Sequence, residues 1–215
     1  MSDAAPPPAG PRRVRRGELL FRTTTRSEEA VAWLADVHDL AERAGFAVAH
    51  HVPGVNGRLV ERGWTCEPDM PGRPFAPDEL SQVRAQIKMF HDLTRRVPQR
   101  PDFRSSQALL QADESGDIDM SVLPGDIAAA CRAAWQPLKG LPLSIVHGDM
   151  TARNLIWCED GRPGLVGWDN CRRDVGMFDT ADSDEAIRAR LAWQVAILWT
   201  PEPERARRLA VRLIG

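Results

Sequence analysis

The stretch Ile145–Ala181, IVHGDMTARNLIWCEDGRPGLVGWDNCRRDVGMFDTA, decides how the chain is read. An apolar run, Leu143–Val146, predicts a strand that enters a loop carrying His147, Asp149 and Asn154. Two short apolar runs, Leu155–Trp157 and Leu165–Trp168, flank Glu159-Asp160-Gly161-Arg162-Pro163-Gly164, which predicts a hairpin. Asp169 follows the second strand. A carboxylate, an amide five residues later and a carboxylate across a hairpin can therefore converge on one point.

Phosphoryl transfer uses such a set: one carboxylate orients or deprotonates the attacking hydroxyl, while an amide and a further carboxylate hold Mg²⁺ on the nucleotide phosphates. The spacing His-x-Asp-x-x-x-x-Asn is that of kinase catalytic loops. His147-Gly148-Asp149 with Asn154 closely resembles the aminoglycoside phosphotransferase and choline kinase superfamily. Val166-Gly167-Trp168 and Asp179-Thr180-Ala181 stand where that superfamily carries Ile-Asp-Trp and Asp-Leu-Ala.

The resemblance implies an α+β, protein-kinase-like two-lobed fold. Its small N-terminal lobe would be a short antiparallel sheet plus a helix, with the first hairpin missing, and its larger C-terminal lobe mainly helical. The implied reaction moves the γ-phosphoryl of ATP or GTP to a hydroxyl of a small molecule, with Mg²⁺. Asp149 would take or orient the acceptor proton, His147 would order the loop, Asn154 and Asp169 would hold the metal, and Asp179 would support the loop backbone. One departure stands out. The superfamily's metal-binding aspartate falls at Gly167, which has no side-chain oxygen. Asp169, two residues on in an extended strand, would point to the same side roughly 7 Å further along. The alternative reading is a catalytically impaired kinase-fold protein that binds or regulates a partner. A third, a metal hydrolase on His147, Asp149 and Asp169, lacks further ligands nearby in sequence.

Composition agrees with one or two domains with a core. The chain has 215 residues and a formal charge of −2, which gives no strong pull toward nucleic acid. No run of about 18 apolar residues predicts a membrane span. The start, MSDAAPPPAGPRR, lacks the apolar segment of a signal peptide. Cys66, Cys131, Cys158 and Cys171 have no metal spacing and read as reduced thiols of a cytoplasmic protein.

In chain order, residues 1–17 read as a disordered tail, 18–70 as a truncated small lobe and 71–215 as a helical lobe. Glu18–Thr23 predicts a strand, Ser27 an N-cap, and the apolar positions from Ala30 to Leu40 a helix ending near Gly45. Phe46–His50, Arg58–Val60 and Trp64–Cys66 predict strands. In a kinase scheme Arg22 takes the place of the phosphate-binding lysine, since no lysine precedes Lys88, and Glu28 or Glu29 would be its partner. The resemblance places adenine against backbone groups from Cys66 to Asp69. Leu80, Val83, Ile87, Phe90 and Leu93 share one helical face, with His91 a structural neighbour. The acidic run around Asp113–Asp119 reads as a solvated face or a lure for a cationic acceptor. Asp126 caps a further helix, and Ile187, Leu191, Val195 and Leu198 predict the core stripe of another.

Overall fold

Strand β1 (Arg13–Arg16) runs antiparallel to β2 (Leu19–Thr23) around Gly17, whose φ of +62° suits glycine. The computed structural model describes residues 13–180 and 182–215. The tail expectation thus fails for residues 13–16; the rest of that stretch lies outside the described residues. The strand shows no alternation because all four of its residues are exposed. Its ladder with β2 holds it, and Arg15 adds an ion pair with Asp69 at 3.0 Å. Arginines also make a poor template for pairing with a further strand.

Ser27 caps α1 (Glu28–Ala32) by accepting the Ala30 N–H. Helix α2 (Leu34–Arg43) follows, its chain reversing at Gly45 (φ +99°) into β3 (Ala47–Val48). Residues 58–60 form no strand; the N–H groups of Leu59 and Val60 donate to the Glu28 carboxylate, at 2.7 and 2.9 Å. Strand β4 (Trp64–Pro68) pairs with β2, which gives a three-stranded sheet in the order β1-β2-β4.

Strand β5 (Arg73–Pro74) and a 3₁₀ turn, Pro77–Val83, lead into α3 (Arg84–Leu93), with Val83, Ile87 and Phe90 buried as their spacing predicts. The polar stretch beyond it holds a small hairpin, β6 (Glu114–Ser115) and β7 (Ile118–Asp119). Helix α4 (Gly125–Trp135) contains Asp126 in its first turn; the capping position is Pro124. Strands β8 (Leu143–Val146), β9 (Leu155–Trp157), β10 (Pro163–Leu165) and β11 (Arg172–Val175) frame the site. Strand β8 pairs with β11, and β9 lies between β10 and β5. Helices α5 (Met177–Thr180), α6 (Asp184–Leu198) and α7 (Pro203–Ile214) complete the chain.

The core stripe of α6 is Ala186, Ala189, Ala192, Trp193, Val195 and Ala196, while Ile187 is 52% exposed. Small alanines allow close packing of α4 and α7; of the expected stripe Val195 is buried and Leu191 packs against the core, while Ile187 points outward. One core joins α4, α6 and α7. A second joins Leu34, Val37 and Phe46 to Ile145, Met150, Leu155 and Trp168. Helix α2, between β2 and β4, therefore packs on the core that carries the site. Strand β3 also pairs in parallel with β10.

Candidate active site

Strand β8 ends at Val146 and delivers His147 into the loop. Gly148 has φ +80°, and a Cβ there would lie 2.5 Å from the Asn170 carbonyl oxygen, so the close approach of the two segments requires glycine. Asp179, buried at the start of α5, accepts the N–H groups of His147 and Gly148 at 2.8 and 2.9 Å and bonds His91 Nε2 at 3.0 Å. Burial alone would raise its carboxyl. The hydrogen bond and charge of His91, with the Gly148 N–H, hold it below the usual range.

His147 is fully buried. Its Nε2 lies 3.0 Å from the Val166 carbonyl, and its Nδ1 accepts the Asp149 N–H at 3.3 Å. A carbonyl only accepts, so Nε2 carries the proton and the ring is neutral; burial lowers its pKa in the same direction. Both nitrogens thus serve the backbone, which makes the imidazole a brace for the loop.

Asn154 and Asp149 are brought together. Asn154 Nδ2 donates to the Asp149 carbonyl and to its Oδ2, both at 2.8 Å. A further residue joins them that the sequence reading overlooks. Arg153 Nη2 lies 3.0 and 2.7 Å from the two oxygens of Asp149, with the arginine side chain 59% exposed. Arg153 sits in the 3₁₀ turn Ala152–Asn154, beside Asn154 and four residues after Asp149.

The strand expected through Trp168 stops at Leu165. Gly167 adopts the left-handed region (φ +81°, ψ 49°) and starts a 3₁₀ turn, Trp168–Asn170. The extended-chain argument that aligned Asp169 with position 167 therefore does not hold. Asp169 instead faces a cleft with Arg22, Arg26, His51, Thr65, Glu67 and Arg100. The space there is about 20 Å³, room for a water. Arg100, also missed in the sequence, is buried and donates to the carbonyls of Ala30, Trp168, Asp169 and Cys171. It ties the small-sheet side to the turn that presents Asp169.

Arg22 bonds Glu67 Oε1 at 2.7 Å, not Glu28 or Glu29. Glu29 is exposed, and Glu28 is committed to the Leu59 and Val60 amides. Register explains the switch: Thr65 stands opposite Arg22, which puts Glu67 on the same face one diagonal away. Burial raises the Glu67 carboxyl, against the pull of Arg22. The groups expected to read adenine are engaged within the protein. The Cys66 carbonyl accepts the Val52 N–H at 2.8 Å, and the Asp69 N–H donates to the Glu18 carbonyl at 2.7 Å. The Asp69 carboxylate belongs to Arg15.

The loop, its acidic brace and the paired arginine agree with a match along almost the whole sequence: the model of the phosphotransferase enzyme family (APH) covers residues 10–207. The chain belongs to that family. No curated protein matches the sequence. Among solved structures the chain is similar to choline kinase LicA from Streptococcus pneumoniae, with a TM-score of 0.63, 12% identity and coverage of 95% of this chain and 89% of that one. It is similar to a thermostable mutant of aminoglycoside phosphotransferase APH(4)-Ia in complex with AMP-PNP and hygromycin B, with a TM-score of 0.56, 9% identity and coverage of 95% and 92%. A gentamicin complex of APH(2″)-IIa gives a TM-score of 0.53 at 8% identity, with coverage of 91% and 84%. The α+β kinase-like two-lobed fold is shared with these family structures.

The family's metal site can be tested on Gly167. Because Asn154 Nδ2 is spent on Asp149, Oδ1 is the atom turned to position 167: a Cβ built there meets it at 2.9 Å. A side-chain oxygen beside an open position suits Mg²⁺, which takes one or two protein oxygens and fills its shell with phosphate and water. Asn154 Oδ1 is such an oxygen, and Asp169 lines the cleft beside Gly167.

Proposed function

We propose that this family member is a small-molecule phosphotransferase that moves the γ-phosphoryl group of ATP or GTP to a hydroxyl of its acceptor. The observation that carries this reading is the Asp149 carboxylate, held by Asn154 and Arg153 on a loop braced from behind by Asp179. The acceptor hydroxyl approaches Asp149, which orients it and takes its proton as the new O–P bond forms. The bond between the γ-phosphorus and the β,γ-bridging oxygen breaks, and the nucleoside diphosphate leaves with the electron pair. Arg153 can exchange its hold on Asp149 for the transferring group and supply positive charge there. Arg22, kept in place by Glu67, meets the nucleotide phosphates. Asn154 and Asp169 would hold Mg²⁺, which offsets phosphate charge when bound.

The cleft as it stands has room for a water, so nucleotide entry requires the small sheet to move away from the Asp169 turn. Nucleotide-bound relatives such as the AMP-PNP complex support the donor. The test is nucleoside-diphosphate release from ATP and from GTP with a panel of aminosugar, amino-alcohol and sugar hydroxyls. Acceptor-dependent release that falls about 10²–10⁴-fold in Asp149→Asn agrees with the proposal. Release unaffected by that substitution, or no release with any acceptor, contradicts it.

A further inference from the structure

Glu42 follows Asp39 by three residues on α2, so the two carboxylates share one face of the helix. The reversal at Gly45 brings the chain back past β3 and sets His50 against them. One ligand-type atom from each of Asp39, Glu42 and His50 lies within 4.8 Å of the other two. His50 Nε2 and Glu42 Oε1 are 3.3 Å apart. Zinc bonds of about 2.0–2.1 Å in tetrahedral geometry separate neighbouring ligand atoms by about the same distance.

A second observation points the same way. His38, on the same helix, is 1% exposed and neither of its ring nitrogens has a hydrogen-bond partner. Its ring is turned edge-on to His50, with centroids 5.4 Å apart and planes at 87°. It also packs against His51 and Trp168. A buried imidazole without a partner is costly in a finished core. His38 is the buried polar group that packs beside His50.

We propose that Asp39, Glu42 and His50 form a binding site for a divalent transition ion of the zinc class, with the buried, unpartnered His38 packed beside His50. The site would tie α2 to the segment after β3, whose Val52 N–H caps the Cys66 carbonyl of β4. Imidazole and carboxylate together suit zinc or cobalt, and the ion would keep an open position toward solvent. This inference goes beyond the phosphotransferase reading and does not depend on it.

The experiment titrates metal-free full-length protein with Zn²⁺ by calorimetry, without nucleotide, and repeats it with Co²⁺ followed by visible absorption. Variants His50→Gln, Glu42→Gln and Asp39→Asn change groups on the open side of α2, so each is expected to fold, which circular dichroism checks. The expected result is one saturable site, a rise in melting temperature on binding, and loss of both in His50→Gln. Asn154→Ala is expected to bind Zn²⁺ like the parent protein. Absence of saturable binding, binding unchanged in His50→Gln, or binding lost in Asn154→Ala and kept in His50→Gln each overturns the proposal.

Discussion

The two sides of the cleft are held in different ways. On the loop side the supports are buried: Asp179 takes two backbone amides, His147 spends both nitrogens on the backbone, and Arg172 pairs with Asp174 at 2.8 Å with both side chains fully buried. Within the small sheet the ion pairs are at the surface or close to it, and the buried link on that side is Arg100, which joins α1 to the Asp169 turn. Arg15, itself 67% exposed, holds Asp69, and Arg22 with Glu67 keeps some access to solvent. Buried pairs resist rearrangement because a freed partner is left without water; exposed pairs exchange with water at little cost. The comparison teaches that the loop bearing Asp149 is held rigidly from behind, while the small sheet is the side held by ties that exchange with water.

The contrast breaks hardest at Asp174. Asp174→Ala leaves Arg172 charged and buried over the rings of Trp193 and Phe178, and frees the Ser106 amide and hydroxyl. A loss of about 3–5 kcal/mol is expected, read from urea unfolding. A loss under about 1 kcal/mol would show that the loop side is no more tightly held than the sheet side.

Acid should act where His38 and His51 meet. Burial is the largest cause that lowers both, His51 to about 4 from 6.5. The unfolded chain then binds more protons between these values, so this stability is fully present above pH 6.5 and is lost as pH falls toward 4. Melting temperature should drop across that window, and His51→Gln should flatten the drop. Asp179 has the same sign but, being a lowered carboxyl, acts only below the ordinary carboxylate range. A melting temperature flat from pH 6.5 to 4 would contradict the burial of the histidine pair.

The catalytic loop is legible in the sequence because its chemistry lies in one short segment: His147, Asp149 and Asn154 meet through local turns. Arg153 hides in that same segment, since an arginine beside an amide reads as an ordinary surface residue until its hydrogen bonds are seen. What fails is whatever depends on register or on backbone sign. Glu67 becomes the partner of Arg22 through a cross-strand diagonal that no linear pattern displays. Gly167 turns the chain where apolar flanks suggest a continuing strand. Residues 13–16 lack the alternation that marks a strand, because neither face is buried.

Gly167→Asp sharpens the comparison at the point where the two sides meet. The left-handed backbone and the contact with Asn154 Oδ1 predict a stability loss of about 1 kcal/mol by thermal unfolding. The added carboxylate should tighten Mg²⁺-dependent nucleotide binding; unchanged binding would mean that position 167 does not face the metal. At the small end, Arg15→Ala should change stability by no more than about 0.5 kcal/mol in the same assay. A larger loss would make β1 a structural necessity and the small sheet less free than this account holds.

The most direct test of the central claim is calorimetric titration with ATP, with and without Mg²⁺, on the parent protein and on Asn154→Ala. The proposed metal site, with Asn154 Oδ1 and Asp169 as ligands in place of an aspartate at Gly167, predicts Mg²⁺-dependent binding that disappears in Asn154→Ala. Binding indifferent to Mg²⁺, or no nucleotide binding at all, would contradict it.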